Sequence, residues 1–370
     1  MTLDRRMRQA AASVRRYADT EVDPVAMLWR LRAHQRRRSL QAAAVALALV
    51  VGLVAAAVLV ARAPHKQPPV TRPPRSLGRV VATIPLPQAA FPRAIGVADG
   101  SVWVDGGNAT AVRIDPRTNQ VLGTVRLPAG SRLAAVTAGG LWLVNEAVGT
   151  VSQADASGHL RRTVNVGWRY TATSPEEEGF RLAVDGDSVW VAVRLTGVAH
   201  LDWGRGTVTA RFTDPLGVGR YDVIAAGGGV ALTHGEQDTD QLDPRTGKAT
   251  RIRVGRPQAL NGVAYGAGSF WASVSDTLVR IDPTRRRVVA TIGLAGYLAG
   301  PVVVGEGAVW VWGGGRLLRR VDPASKRVVH TLADLGPYLG LDYARLAVGA
   351  GAVWLSDAEH RTLIRIDPNG

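Results

Sequence analysis

Beyond residue 90 the chain alternates short apolar runs with clusters of turn-forming residues, and the alternation repeats. Six times a Trp sits in a Val- and Leu-rich run and is followed about ten residues later by Ile, Val or Leu before Asp-Pro, or by a near relative of that triplet. Clear copies begin at Ser101, Ser188, Ser269, Ala308 and Ala352, and a looser one holds Leu141-Trp142 and Ala154-Asp155. A seventh unit keeps Leu242-Asp243-Pro244 and carries Ala231 where Trp is expected.

In the first unit the pattern predicts strand A over residues 94–98, B over 101–104, C over 111–114 and D over 120–127. Turn residues separate A from B in each unit, as in Asp99-Gly100, Gly139-Gly140, Gly186-Asp187 and Gly227-Gly228-Gly229. Four short strands repeated seven times at a period near 40 residues predict an all-β fold, a seven-bladed β-propeller. The Trp on strand B is expected to fill the space between blades. After strand C the Asp is expected to accept backbone N–H bonds, and the Pro to remove a donor that would invite pairing.

The last unit stops at Pro368-Asn369-Gly370, before any strand D. Residues 79–86, RVVATIPL, match residues 287–294, RVVATIGL, which form strand D of the fifth unit. Residues 79–86 are therefore expected to supply the outer strand of the last blade and close the ring, in a propeller domain of residues 78–370.

The segment before the ring has a different character. Residues 40–61 are 22 residues without a charge, long enough to span a bilayer as a helix, and define an expected transmembrane helix over 39–61. Arg36-Arg37-Arg38 immediately precede it. The positive-inside rule then places a basic cytoplasmic tail, residues 1–38, on one side and the propeller outside the cytoplasm, as a single-pass protein of the cell membrane. A cleaved signal peptide is the alternative, with Ala61-Arg62-Ala63 as the site; the long basic lead, the long apolar run and Pro64 after the cut disfavour it. Leu3, Met7, Ala10, Val14 and Tyr17 share one face of a short helix expected in the tail. Pro64, Pro68, Pro69, Pro73 and Pro74 stiffen a linker over residues 62–77.

Charge changes the picture only locally. The formal net charge is +15, but ten Arg against four acids leave residues 1–38 at +6, and residues 62–77 add four cations and no acid. The excess flanks the apolar segment, so a nucleic-acid partner is not expected. Cysteine is absent, which excludes disulfides and thiolate metal sites.

The unit (G)xGxVWV…xxRIDPxTxxVVxTI resembles the YVTN/YncE-type repeats and the related virginiamycin B lyase-like propellers, over about residues 78–370. The resemblance implies the propeller fold and leaves function open, because such propellers host many activities. In the lyase family a His heads strand A and acidic residues after the strand-B aromatic help hold magnesium. Here the heads of strand A carry Arg93, Arg132, Arg181, Tyr221 or Asp222, Asn261, Pro301 and Arg345, none of them His. Acids do follow the aromatics, as Glu146 and Asp357, and only His234 and His360 fall on loops between strands B and C. A magnesium-dependent lyase is the alternative to a non-catalytic binding module. Residues 242–248 are similar to quinoprotein propeller repeats but lack the Trp that follows in those, so no cofactor is expected.

Arg93, Arg132, Arg181 and Arg345 lie nine or ten residues before a blade Trp, in blades 1, 2, 3 and 7, which are contiguous around a closed ring. Four guanidiniums at one side of one mouth suit carboxylate, phosphate or sulfate. Unit spacing stretches at two connections on the same face, residues 167–180 with Trp168 and Tyr170, and residues 334–343 with Tyr338 and Tyr343. The expected ligand-binding set is Arg93, Arg132, Arg181, Arg345, Trp168, Tyr170 and Tyr221, for an anionic small molecule, a glycan or an acidic protein segment. The structural alternative is that repeat duplication placed the arginines, with Asp222 and Glu176-Glu177-Glu178 as their partners.

Overall fold

In the computed structural model, residues 79–87, 92–171, 178–213, 223–234, 239–254, 260–294, 299–314, 316–333, 335, 344–358 and 360–369 are described. The chain divides into two compact units, Met1–Arg72 and Pro73–Gly370. The first lies wholly outside the described residues, and with it the expected cytoplasmic tail and transmembrane helix. Among the described residues there is no helix long and apolar enough to cross a membrane.

The described residues form strands only, 28 of them in seven antiparallel sheets of four. Blade 1 is Ile95–Ala98, Ser101–Gly107, Thr110–Asp115 and Gln120–Arg126; blade 2 is Arg132–Thr137, Gly140–Asn145, Thr150–Ala154 and Leu160–Asn165. Blade 3 is Phe180–Asp185, Ser188–Val193, Gly197–Asp202 and Thr207–Thr213; blade 4 is Val223–Gly227, Val230–His234, Thr239–Asp243 and Lys248–Ile252. Blade 5 is Leu260–Gly266, Ser269–Val274, Thr277–Asp282 and Arg287–Gly293; blade 6 is Ala299–Gly305, Ala308–Gly313, Leu317–Asp322 and Arg327–Leu332. Blade 7 takes Arg345–Gly349, Ala352–Asp357 and Thr362–Asp367 from the end of the chain and its outer strand, Arg79–Pro85, from the other. Arg79 pairs with Asp367 and Pro85 with Thr362, so the chain closes its ring with its own first strand.

Seven hydrophobic clusters hold the ring, one in each gap between neighbouring blades. Trp310 of blade 6 packs with Leu346, Leu355 and Ile366 of blade 7, and Trp354 of blade 7 with Val102, Val104 and Ile114 of blade 1. Trp103 meets Leu133 and Leu143 of blade 2, and Trp271 meets Val302 and Val311 of blade 6. Three of these indoles have a small neighbour on strand A, Gly96 opposite Trp103, Ala264 opposite Trp271 and Ala347 opposite Trp354, and Trp310 faces Val303. Trp271, Trp310 and Trp354 donate to the carbonyls of Gly266, Gly305 and Gly349 at 3.1, 3.2 and 3.1 Å.

Blade 4 corrects the sequence alignment. Leu232, not Ala231, occupies the Trp position: it pairs with Ala225 on strand A and with Gln241 two residues before Asp243, as Trp310 pairs with Arg320 two residues before Asp322. The cause is the triple glycine. The turn consumes Gly228 and Gly229, both at positive φ, so the strand starts one residue later than the glycine count implies. Leu232 then joins Phe270, Ala272 and Ile281 in the gap to blade 5.

The Asp of the Asp-Pro pair does accept the N–H groups of its turn. Arg117 N reaches Asp115 Oδ1 at 2.8 Å, and Thr284 N reaches Asp282 Oδ1 at 2.9 Å. The Arg117 N–H on Asp115, and the Arg285 N–H and guanidinium on Asp282, outweigh the cost of desolvation and hold both carboxyls below the usual carboxylate range.

Candidate functional site

Strand A of every blade runs along the central channel, so the residues at its head ring one mouth. A cavity of about 310 Å³ opens there, walled by residues of all seven blades. Arg93, Arg132, Arg181 and Arg345 line it together, and Ile224, Gly262 and Pro301 complete the wall on blades 4, 5 and 6. Among the described residues the mouth is thus cationic on one side and apolar on the other.

The arginines are held by acids. Arg132 donates Nε and Nη2 to Glu146 Oε1 at 3.0 and 2.6 Å, and Nη2 also reaches the Phe180 carbonyl at 2.6 Å. The same Glu146 Oε1 accepts the Phe180 N–H at 3.1 Å, and the Gly179 N–H lies 3.2 Å from both carboxylate oxygens. Glu146, at the end of strand B in blade 2, therefore ties blade 2 to the start of strand A in blade 3.

Glu178 reaches further. Its Oε2 lies 3.0 Å from Arg181 Nη1 in its own blade, and its Oε1 lies 3.0 Å from Arg345 Nη2 in blade 7. Blades 1 and 2 separate these partners around the ring, so the carboxylate bridges across the cavity it lines. Its side chain is only 8 % exposed. Burial by itself would push this carboxyl up, but Arg181, Arg345 and Arg132 outweigh burial and hold it below the usual carboxylate range. Arg345 is fixed in turn by donating Nε to the Arg93 carbonyl at 2.9 Å.

Asp105 stands at the end of strand B in blade 1, 2 % exposed, and accepts the Gly107 N–H at 3.2 Å. Burial pushes its carboxyl up from 3.8 to about 6, against the Gly107 hydrogen bond and the positive charges of Arg132 and Arg93. The signal for it in the sequence was an acid two residues after a blade Trp, where other blades carry Val144, Ala192, Ser273, Trp312 and Ser356.

The aromatic candidates sit elsewhere. Trp168 and Tyr170 pack against the cluster between blades 2 and 3, and neither is among the residues lining the cavity. The Arg211 guanidinium lies over the Trp168 ring at 5.7 Å. Tyr170 donates its N–H to the Glu146 carbonyl at 3.0 Å, and a Cβ on Gly179 would overlap its ring. These two residues brace the connection that delivers Glu178. Tyr221, Asp222, Tyr338, Tyr343, Glu176 and Glu177 lie outside the described residues.

Among the described residues no His lines the cavity. His360 is bound to Asp357, with Nδ1 2.8 Å from Asp357 Oδ2, and His200 packs on Trp190 with ring centroids 4.5 Å apart. Among the described residues no group of three or more His, Asp or Glu is placed to hold a metal ion.

No protein-family model matches this chain, and no curated protein does. Among solved structures it is similar to the WD40 domain of Pan2 from Neurospora crassa, with a TM-score of 0.57 and 12 % identity, covering 79 % of this chain and 96 % of that one. The likeness is one of fold. It agrees with the seven four-stranded blades, and it carries no statement about ligand or activity.

Proposed function

We propose that this chain is a membrane-anchored, extracytoplasmic β-propeller of the YVTN/YncE and virginiamycin B lyase-like kind, acting as a binding module whose arginine-lined mouth takes an anionic ligand. One observation carries the reading: four arginines from contiguous blades converge on one cavity walled by all seven. A guanidinium presents paired donors that match a carboxylate or phosphate, and a rigid ring holds them without the entropy cost of ordering a loop. The cavity volume is at the lower end of the range typical of small-molecule sites, roughly 300–1,000 Å³. It fits a small anion or a single acidic side chain of a partner. The anchoring part of the proposal rests on the uncharged residues 40–61 and the basic residues before them. A magnesium-dependent lyase would need a histidine at the mouth, and none lines the cavity among the described residues.

The test is calorimetric titration of the full chain in detergent with citrate, sulfate, inorganic phosphate and an acidic peptide. At least one should bind, and Arg181→Ala should weaken it tenfold or more. Equal affinity of the variant, or no heat with any anion, would remove the reading. Reporter enzymes fused to each terminus test the anchoring: a cytoplasmic C-terminus would overturn it.

A further inference from the structure

Deepening that reading of the mouth, we propose that the Glu178 carboxylate is a tethered occupant of a carboxylate seat, and that the ligand of the mouth is a carboxylate that replaces it. The seat is defined by what Glu178 already does. Each of its two oxygens meets one guanidinium at 3.0 Å, Arg181 on one side and Arg345 on the other. The two arginines come from blades 3 and 7, which are not neighbours in the ring, and the carboxylate bridges them across the cavity. The pair with Arg181 is local, three residues apart, like Arg285 with Asp282 or Arg205 with Asp202, but the pair with Arg345 crosses the channel. A carboxylate held between guanidiniums on two sides of a cavity has the geometry of a bound ligand.

Glu178 does not belong to the repeat. It sits before strand A, in the connection where the unit spacing reaches 47 residues against 39–41 at four other junctions. The repeat supplies the arginines at the strand heads, and the connection supplies the acid. Glu146 fixes the next two residues by accepting the N–H groups of Gly179 and Phe180, so the backbone beside Glu178 is anchored while its side chain alone enters the cavity. Exchange of the occupant then needs only a rotation of that side chain. Among the described residues the cationic wall with Glu178 removed would hold Arg93, Arg132, Arg181 and Arg345 against Glu146 and Asp105, an excess of positive charge facing the apolar residues Ile224, Val263 and Pro301. Such a wall attracts an anion more strongly than water would allow.

A tethered competitor lowers apparent affinity by the fraction of molecules in which it occupies the seat. Glu178→Gln keeps the side-chain volume and removes the charge. Its affinity for glutarate and for an N-acetylated, C-amidated tetraglutamate peptide, measured by calorimetry on the full chain, is expected to exceed that of the wild type at least tenfold. Preference for glutarate marks a small-molecule ligand, and preference for the peptide marks an acidic partner segment. Glu178→Ala is the second variant. Its unfolding midpoint should fall, and propionate should restore it where chloride at equal ionic strength does not. Unchanged or weaker carboxylate binding by Glu178→Gln, or equal response of Glu178→Ala to propionate and chloride, overturns the proposal. Anion binding by the wild type that Glu178→Gln leaves unchanged would keep the binding function and remove this inference. Carboxylate binding by the variants alone would do the reverse.

Discussion

Arg320 donates Nη1 to the carbonyl oxygen of Pro368 at 3.0 Å, from blade 6 to blade 7. The same guanidinium lies over the Trp310 ring of its own blade, 5.6 Å from the centroid. Arg280 repeats both contacts, over Trp271 at 5.2 Å and to the Pro323 carbonyl at 3.1 Å. Gln241 donates to the Pro283 carbonyl at 2.9 Å, and Arg365 closes the seam between blades 7 and 1 on Asn119 Oδ1 at 3.0 Å. In blades 5 and 6 the Arg that precedes Ile-Asp-Pro or Val-Asp-Pro is thus an inter-blade clasp, reaching forward to the Pro carbonyl of the next blade. Arg320→Ala should cost about 2 kcal/mol, from a hydrogen bond with a charged donor and a cation–π contact. Arg320→Lys should recover little of it, since an ammonium cannot both stack and reach. Denaturant unfolding of the full chain measures both, and an unchanged midpoint for Arg320→Ala would mean that the clasp is incidental to stability.

Ring closure makes a second measurable claim. Ile84 is buried against Trp354 and Val102, and the Leu86 N–H donates to the Arg361 carbonyl at 2.8 Å. Ile84→Ala should destabilise by about 2–4 kcal/mol, as for other large-to-small changes in a packed core. Deleting residues 78–87 should do far more, because blade 7 then exposes the edge of Thr362–Asp367 and the cluster loses two members. A deletion variant with the wild-type melting temperature would rule out closure by this strand in solution.

The ring was legible because its signals are local and repeated. A Trp, a turn glycine and an Asp-Pro recur in register, and the match of residues 79–86 to 287–294 exposes the displaced strand. Blade 4 was misread by one residue because three consecutive glycines leave the end of the turn undetermined until pairing fixes it. The arginines at the strand heads were equally visible. So was one partner, since Glu178 belongs to the acidic run expected to pair with them and it meets Arg181 and Arg345; its reach was hidden, because only the closed ring brings it to Arg345, whereas Glu146 meets Arg132 within blade 2. Trp168 and Tyr170 drew notice as loop aromatics, yet a loop aromatic is as well suited to bracing its own connection, which is where they pack.

Asp105 should give the propeller a distinctive pH response. Its folded-state value, about 6, lies above its ordinary 3.8, so the native state binds the proton more tightly than the unfolded chain. Stability therefore rises as pH falls from about 6 towards 3.8, and the burial penalty acts in full above that window. The turn aspartates run the other way. Asp115, Asp282 and Asp322 are lowered, and what they contribute is lost only as pH falls below the ordinary carboxylate range. Between pH 7.5 and pH 5 the wild type should gain about 1 kcal/mol relative to Asp105→Asn. Parallel unfolding curves for the two proteins at both pH values would show that Asp105 titrates normally.

Glu146 and Arg132 offer the sharpest test of how the mouth is built. One carboxylate oxygen receives Arg132 twice and the Phe180 and Gly179 N–H groups once each, so four donors depend on it. Glu146→Ala should cost about 2–3 kcal/mol, since it strips a largely buried cation of its counter-charge and leaves two backbone donors to find water. Glu146→Gln keeps an acceptor and should cost less. In a double-mutant cycle with Arg132→Ala, the coupling should reach about 1–3 kcal/mol, as for residues in one hydrogen-bonded network. Coupling near zero would mean that the Phe180 carbonyl alone positions Arg132. The distinction bears on binding experiments. Arg132 is built into the frame and only 17 % exposed, whereas Arg181 is 39 % exposed and pairs with the side chain of Glu178. Loss of ligand on Arg132→Ala would therefore mix a weakened frame with a lost contact. Loss on Arg181→Ala at an unchanged melting temperature reports the contact itself.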